Sequence, residues 1–204
     1  MSVLGYVQAG GGSTRFGRDK ALVELAGKTM LARTLELVAS VCSEAMIVAG
    51  ERQYSDGPAP LVADRWPGQG PLGGILTALQ ASTRRGLQLE WNLIVGCDLP
   101  FLTREWLEFL CEQSERSAAQ VVVAQSPNGL EPLCACWKTV SASGVQKAFD
   151  SGVRKVTEAM KRLPMEVLDE SVWKRFDTQG RLFWNMNTPA DFEQARSILE
   201  ARQP

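Results

Sequence analysis

Apolar residues in this chain fall into two recurring patterns. Residues 3–7, 45–49, 61–63, 91–96, 120–124 and 132–137 form short, nearly unbroken apolar runs of strand length. Between them, Leu31, Leu35, Val38 and Cys42 recur at spacings of four, three and four, the stripe of an amphipathic helix. Leu72, Ile75, Leu76 and Leu79 form a second stripe, with Pro71 placed to open its helix. Thr103 is placed to cap a third, which carries Trp106, Leu107 and Leu110. Residues 145–163 keep a helical period that breaks near Ser151 and Gly152 and stops at Pro164. Thr188, Pro189 and Asp191 are the N-cap, N1 and N3 residues of a last helix, with Phe192, Ala195 and Leu199 inward.

The run 91–96 is apolar throughout and predicts a central parallel strand. The turn Ser126-Pro127-Asn128-Gly129 predicts a hairpin, which adds one antiparallel strand to the sheet. With no internal repeat and no linker-like stretch, residues 1–204 are expected to form a single α/β domain.

The chemistry concentrates at the ends of these runs. The first strand leads into Gln8, Ala9, Gly10, Gly11 and Gly12, followed within a few residues by Arg15, Arg18, Asp19 and Lys20. Glycines after a strand bring bare N–H groups close to a ligand, and the basic side chains favour phosphate. An ordinary glycine-rich turn is the alternative. A Walker A loop is excluded, because Gly12 and Gly17 are followed by Arg18 and Asp19 in place of Lys and Ser or Thr. The dinucleotide fingerprint fails as well, because counting from Gly10 its sixth place holds Arg15.

A second glycine-rich segment runs from Asp64 through Gly70 to Gly73 and Gly74, where helix propensity is sacrificed. Close helix packing would explain the last two glycines, and so would backbone approach to a ligand, the favoured reading. Asp98 follows the central strand in Asp98-Leu99-Pro100, where open α/β sheets bind ligands. Beside a phosphate loop, this carboxylate is read as a ligand for Mg²⁺. Arg154 and Lys155 are read as a solvated basic face. Asn185 and Asn187 alternate along an expected short strand, so that both amides point to one side.

Composition narrows the function further. The net charge of −1 speaks against nucleic acid or a membrane surface as the main partner. No apolar stretch reaches the length of a membrane span, and Met1-Ser2 leads directly into the first strand, so a cytoplasmic protein is expected. The five cysteines lack disulfide-framework spacing, and Cys134 and Cys136 are expected to pack inward from one strand face. The chain contains no histidine, which removes Ser-His and Cys-His catalysis and histidine-ligated zinc.

Four ordered elements together resemble the molybdenum cofactor guanylyltransferase family of nucleotidyltransferases. They are the loop from Ala9 through Arg15 to Lys20, the segment Gly70 to Gly74, Asp98-Leu99-Pro100, and Asn185-Met186-Asn187-Thr188-Pro189. The resemblance implies a doubly wound, mostly parallel sheet with helices on both faces. It also implies GMP transfer from Mg-GTP to molybdenum-bound molybdopterin, with release of pyrophosphate. The loop amides of Gln8 to Gly12, with Arg15 and Lys20, would hold the triphosphate. Asp98 would hold Mg²⁺, Asp64 would touch the nucleotide, and Gly70, Gly74, Asn185 and Asn187 would shape the acceptor side. Transient contact with molybdenum-insertion and molybdoenzyme-maturation proteins is a further implication.

This chain departs from the family pattern in three places. Gln8 and Phe16 stand where the family has Leu and Met. Ala49-Gly50-Glu51-Arg52 lacks the asparagines that the family often places after its second strand. Two enzymatic alternatives share the first loop: a cytidylyl-transferring relative, whose ending carries Asp in place of Asn185 and Asn187, and a sugar-phosphate nucleotidyltransferase, which lacks that ending. A non-catalytic nucleotide-binding module is the alternative of a different class.

Overall fold

The computed structural model describes residues 3–10, 19–50, 54, 59–86, 91–177 and 179–201. Gly11, Gly12, Arg15 and Phe16 of the first loop, and Glu51 and Arg52, lie outside the described residues.

Seven strands form one sheet in the order β5-β4-β1-β6-β8-β7-β9. They are β1 (Leu4–Gln8), β4 (Glu44–Ala49), β5 (Leu61–Ala63), β6 (Trp91–Gly96), β7 (Val121–Ser126), β8 (Gly129–Lys138) and β9 (Met165–Leu168). A two-residue pair, β2 (Glu24–Leu25) and β3 (Lys28–Thr29), forms a separate hairpin. In the main sheet only β8 runs against its neighbours, pairing antiparallel with β6 and β7. The other adjacent pairs, β1 with β4, β1 with β6, β4 with β5 and β7 with β9, are parallel. The expected mostly parallel sheet with one antiparallel strand is therefore present. The hairpin turn lies where Ser126 pairs with Gly129.

Helices cover both faces, as doubly wound sheets require. On one face α1 (Met30–Ala39) and α3 (Arg104–Arg116) bury Leu31, Leu35, Val38, Trp106, Leu107 and Leu110. On the other, α2 (Pro71–Arg84), α4 (Ala142–Asp150) and α5 (Val156–Met160) bury Leu72, Ile75, Leu76, Leu79, Phe149 and Met160. Alternation along β1 divides its side chains between them: Val7 joins the first core and Tyr6 the second. Gly5 is glycine because α1 lies directly on it, so that a Cβ there would sit 2.2 Å from Val38 Cγ1. Cys134 and Cys136 share the first core, as expected, and Cys134 Sγ accepts a hydrogen bond from Trp106 Nε1 at 3.3 Å.

The C-terminal helix α7 (Pro189–Glu200) begins with a full capping box between Thr188 and Asp191. It packs Phe192 and Ala195 into a small third core with Leu25, Met30, Phe101 and Met186. A short α6 (Glu170–Trp173) completes the helices. Among the described residues no helix is long and apolar enough to cross a membrane.

One expectation needs correction. Residues 185–187 are not a strand: the neighbouring edges of β1 and β6 are already paired within the sheet, and Met186 N donates to Asp98 O at 2.9 Å. Arg154, like Lys155, is exposed, as expected. Its guanidinium donates to Gln69 Oε1 and Phe149 O, each at 2.8 Å, and stacks 4.0 Å from the Phe149 ring centre.

Candidate active site

Strand order reverses at β1, which lies between β4 and β6, and the crossover connections leave a crevice beyond the carboxyl ends of these strands. A cleft of about 700 Å³ occupies that position, within the range of small-molecule sites. Each strand end contributes to its wall: Gln8 from β1, Val48 and Gly50 from β4, Asp64 from β5, and Gly96, Cys97 and Asp98 from β6. Gly70 and Pro71 add the opening of α2, and Asp19, Lys20 and Ala21 close the near side. Gly10 and Gly70 sit at φ of 93° and 78°, backbone conformations that favour glycine and carry the chain around the rim.

Lys20 is held at two points. Asp19 caps the 3₁₀ turn that begins at Lys20, its Oδ1 accepting from Ala21 N at 3.0 Å. Asp19 Oδ2 accepts from the Tyr54 hydroxyl at 2.5 Å. At the other end, Lys20 Nζ donates to Asn187 Oδ1 at 2.8 Å. The buried Tyr54 therefore anchors the lysine's backbone, and Asn187 aims its charge. Burial, then the Asp19 bond, pushes the Tyr54 hydroxyl pKa far above its usual range, so it remains a donor.

Asp98 lines the same cleft. Although its residue is partly exposed to the cleft, burial pushes its carboxyl pKa up, and the Lys20 charge pulls it partly back. Gly96 makes the room: a Cβ there would come 2.9 Å from Asp98 Oδ1. Glu131 lies close enough for the Asp98 charge to be felt, and Ser126 Oγ donates to its Oε1 at 2.5 Å. Among the described residues no group of three or more Asp, Glu, His or Cys is arranged to hold a metal.

Asp64 Oδ1 accepts from Trp66 N at 3.0 Å and from Thr77 Oγ1 at 3.1 Å, which fixes the turn into α2. Gln8 Nε2 donates to Pro71 O at 3.3 Å, and Gln8 Oε1 is buried with no hydrogen-bond partner. An orphaned oxygen of this kind costs about 1–3 kcal/mol. Gly74 faces this amide, and a Cβ on it would sit 2.2 Å from Gln8 Nε2. At Gly73 a Cβ would meet Trp66 Cβ at 3.1 Å. Both glycines are therefore explained by close packing, a correction to their reading as ligand-approach positions.

Of the residues singled out in the sequence, Gln8, Ala9, Gly10, Lys20, Asp64, Gly70 and Asp98 converge on the cleft. Asn187 reaches it through Lys20, while the Asn185 amide turns back to Phe183 O at 3.5 Å. Tyr54, Glu131 and the Gln8 side chain were missed. Tyr54 lies in a loop whose proline and glycine content announces a turn and nothing more. A second depression of about 540 Å³, beside α1, is lined by Lys28, Glu36 and Arg104, and Lys28 is ion-paired with Glu36.

A cleft at a strand-order switch point, bordered by a fixed lysine and a desolvated carboxylate, suits an α/β nucleotidyltransferase. Comparison with known proteins agrees. Residues 5–163 match the model of the MobA-like NTP transferase domain, and the chain belongs to that family. It is 30% identical to a probable molybdenum cofactor guanylyltransferase of Chloroflexus aggregans, covering 98% of this chain and 96% of the relative. Identity is also 30% to a molybdenum cofactor guanylyltransferase of Desulfosudis oleivorans, covering 98% and 97%. Among solved structures, molybdopterin-guanine dinucleotide biosynthesis protein A from Archaeoglobus fulgidus aligns with a TM-score of 0.84 at 25% identity, over 98% of this chain and 100% of that one.

Proposed function

We propose that this protein transfers GMP from Mg-GTP to the terminal phosphate of molybdenum-bound molybdopterin, yielding the guanine dinucleotide and pyrophosphate. The reaction is a single in-line displacement. An oxygen of the acceptor phosphate forms a bond to the α-phosphorus of GTP, and the bond from that phosphorus to the bridging oxygen of the β-phosphate breaks. Positioning and charge neutralisation are the main catalytic contributions for such a transfer.

The observation that carries this reading is Lys20 and Asp98 lining one cleft, near enough for the lysine charge to act on the carboxylate, each held by the segment 185–187. Lys20 neutralises the charge that collects on the leaving pyrophosphate. The first loop, including Gly10 and, outside the described residues, Gly11, Gly12 and Arg15, supplies amides and charge to the triphosphate. A single desolvated carboxylate suits Mg²⁺, which takes one or two protein carboxylates with phosphate and water oxygens completing its shell. Asp98 would hold the ion, which when bound neutralises phosphate charge and orients the α-phosphate. Asn187 serves the acceptor side, while Gly74 acts through the Gln8 packing. A cytoplasmic location and contact with cofactor-insertion and molybdoenzyme-maturation partners follow from the same reading.

The test is turnover of molybdopterin with each of the four nucleoside triphosphates and Mg²⁺, followed by pyrophosphate release. GTP is expected to be the preferred donor. Efficient use of CTP, or no transfer to molybdopterin, overturns the proposal.

A further inference from the structure

Sheet order supplies a ruler for the cleft. Its wall runs from Asp64 after β5, past Val48 and Gly50 after β4 and Gln8 on β1, to Asp98 after β6. Three strand spacings of about 4.8 Å separate the ends, about 14 Å in all, enough to lay a nucleotide across them. Lys20 and Asp98 mark the phosphate end by charge, so the base lies towards β4 and β5. That end is walled by Val48, Gly50, Pro67, Gly68, Gly70 and Pro71, none of which carries a polar side chain. Among the described residues, the polar side chains that reach this end are Asp64 and Gln8, whose amide is carried from β1 to the opening of α2 by its bond to Pro71 O.

Building on the guanylyl-transfer reading, we propose that Gln8 reads the base, its side-chain oxygen accepting a hydrogen bond from the Watson–Crick edge of guanine. The amide's orientation is set, because the Pro71 carbonyl takes only a donor and so receives Nε2. This leaves Oε1 as an unpartnered acceptor beneath the cleft wall. The terminal torsion of a glutamine is soft, so a small swing offers the oxygen to a base edge. Guanine presents two adjacent donors on that edge, N1–H and the 2-amino group, whereas adenine places a bare acceptor at N1. An acceptor here therefore rewards guanine and leaves two lone pairs opposed for adenine.

Independent support comes from Gly74. The chain gives up a helical side chain there, and the space vacated is where the amide lies, with a Cβ only 2.2 Å from Nε2 and 2.5 Å from Cδ. Asp64 is a weaker candidate, since its Oδ1 is already committed to Trp66 N and Thr77 Oγ1.

The experiment measures Mg²⁺-dependent binding of GTP, ATP and CTP to the wild-type chain, Gln8→Met, Gly74→Ala and Asp64→Asn. Guanylyl transfer to molybdopterin is measured in parallel. Methionine keeps the length and packing of Gln8 and removes the acceptor, so a purely structural role would leave selectivity intact. Gln8→Met is expected to lose about 10- to 100-fold in GTP affinity with ATP affinity unchanged, collapsing the GTP:ATP ratio. Gly74→Ala, which displaces the amide without altering its chemistry, is expected to lower the same ratio. An unchanged ratio in Gln8→Met overturns the assignment, as does a collapse confined to Asp64→Asn. Absence of guanylyl transfer by the wild-type chain counts against the proposed function and leaves Gln8 to be judged on the binding ratio.

Discussion

Replacing Asp98 by Asn separates what the site costs the fold from what it does for catalysis. In the metal-free protein the carboxylate sits in a desolvated wall with the Lys20 charge as partial compensation, and burial raises its pKa. Folding therefore favours the protonated form. As pH rises from the unfolded carboxylate value to the raised folded value, the native state loses a proton less readily than the unfolded chain, and stability falls. Above that window the burden is constant. Asparagine removes the charge and leaves the backbone bond from Met186 N to Asp98 O untouched. Relieving one strained functional position stabilises a protein by about 0.5–2 kcal/mol. At about 2.1 cal/mol/K per residue, the 204 residues unfold with an entropy of about 0.43 kcal/mol/K. The expected rise in Tm is then about 1–5 °C at pH 7 in chelator, shrinking as the buffer is acidified through the window. Turnover with Mg²⁺ is expected to be lost, because the residue proposed to hold the ion is gone. Calorimetry across pH, paired with a pyrophosphate-release assay, reads both. A variant less stable than wild type at pH 7, or one that turns over normally, refutes the reasoning.

Four further outcomes follow from the geometry. Lys20→Ala removes a charge-assisted phosphate contact of about 1.5–3 kcal/mol, so kcat/KM for GTP is expected to fall at least about 10- to 100-fold. Asn187→Ala, which releases the Lys20 ammonium from its 2.8 Å partner, should cost about fivefold by the same assay. Tyr54→Phe deletes the donor to Asp19 Oδ2 and is expected to lower Tm by about 3–7 °C, a loss of about 1.5–3 kcal/mol, in a thermal melt at pH 7. Gly5→Ala drives a methyl against Val38 and should destabilise by about 1–3 kcal/mol in a urea titration, with GTP affinity unchanged.

Most of the sheet was legible because its strands are buried on both faces, and burial on both faces writes an unbroken apolar run. The helix starts at Thr103 and Thr188 were legible because capping is a local matter, settled within four residues. By contrast, β9 carries Met165, Glu166, Val167 and Leu168, a mixed segment that becomes a strand only because β7 offers its free edge. The pair β2 and β3 is too short to leave a pattern at all. Position in the chain likewise pointed to Lys20 and Asp98, since a basic loop and a carboxylate after strands are local signatures. What holds them is not local. Tyr54 meets Asp19 across 35 residues and Lys20 meets Asn187 across 167, contacts that exist only once the strands are ordered. Sequence alone also left Gly74 ambiguous between packing and ligand approach. The fold decides for packing, because parallel crossover brings α2 over the end of β1 and sets Gln8 against the missing side chain. A sequence determines which segments are strand, helix or loop through short-range periodicity; which side chains share a cleft depends on strand order, and strand order is set by long-range pairing that no local pattern encodes.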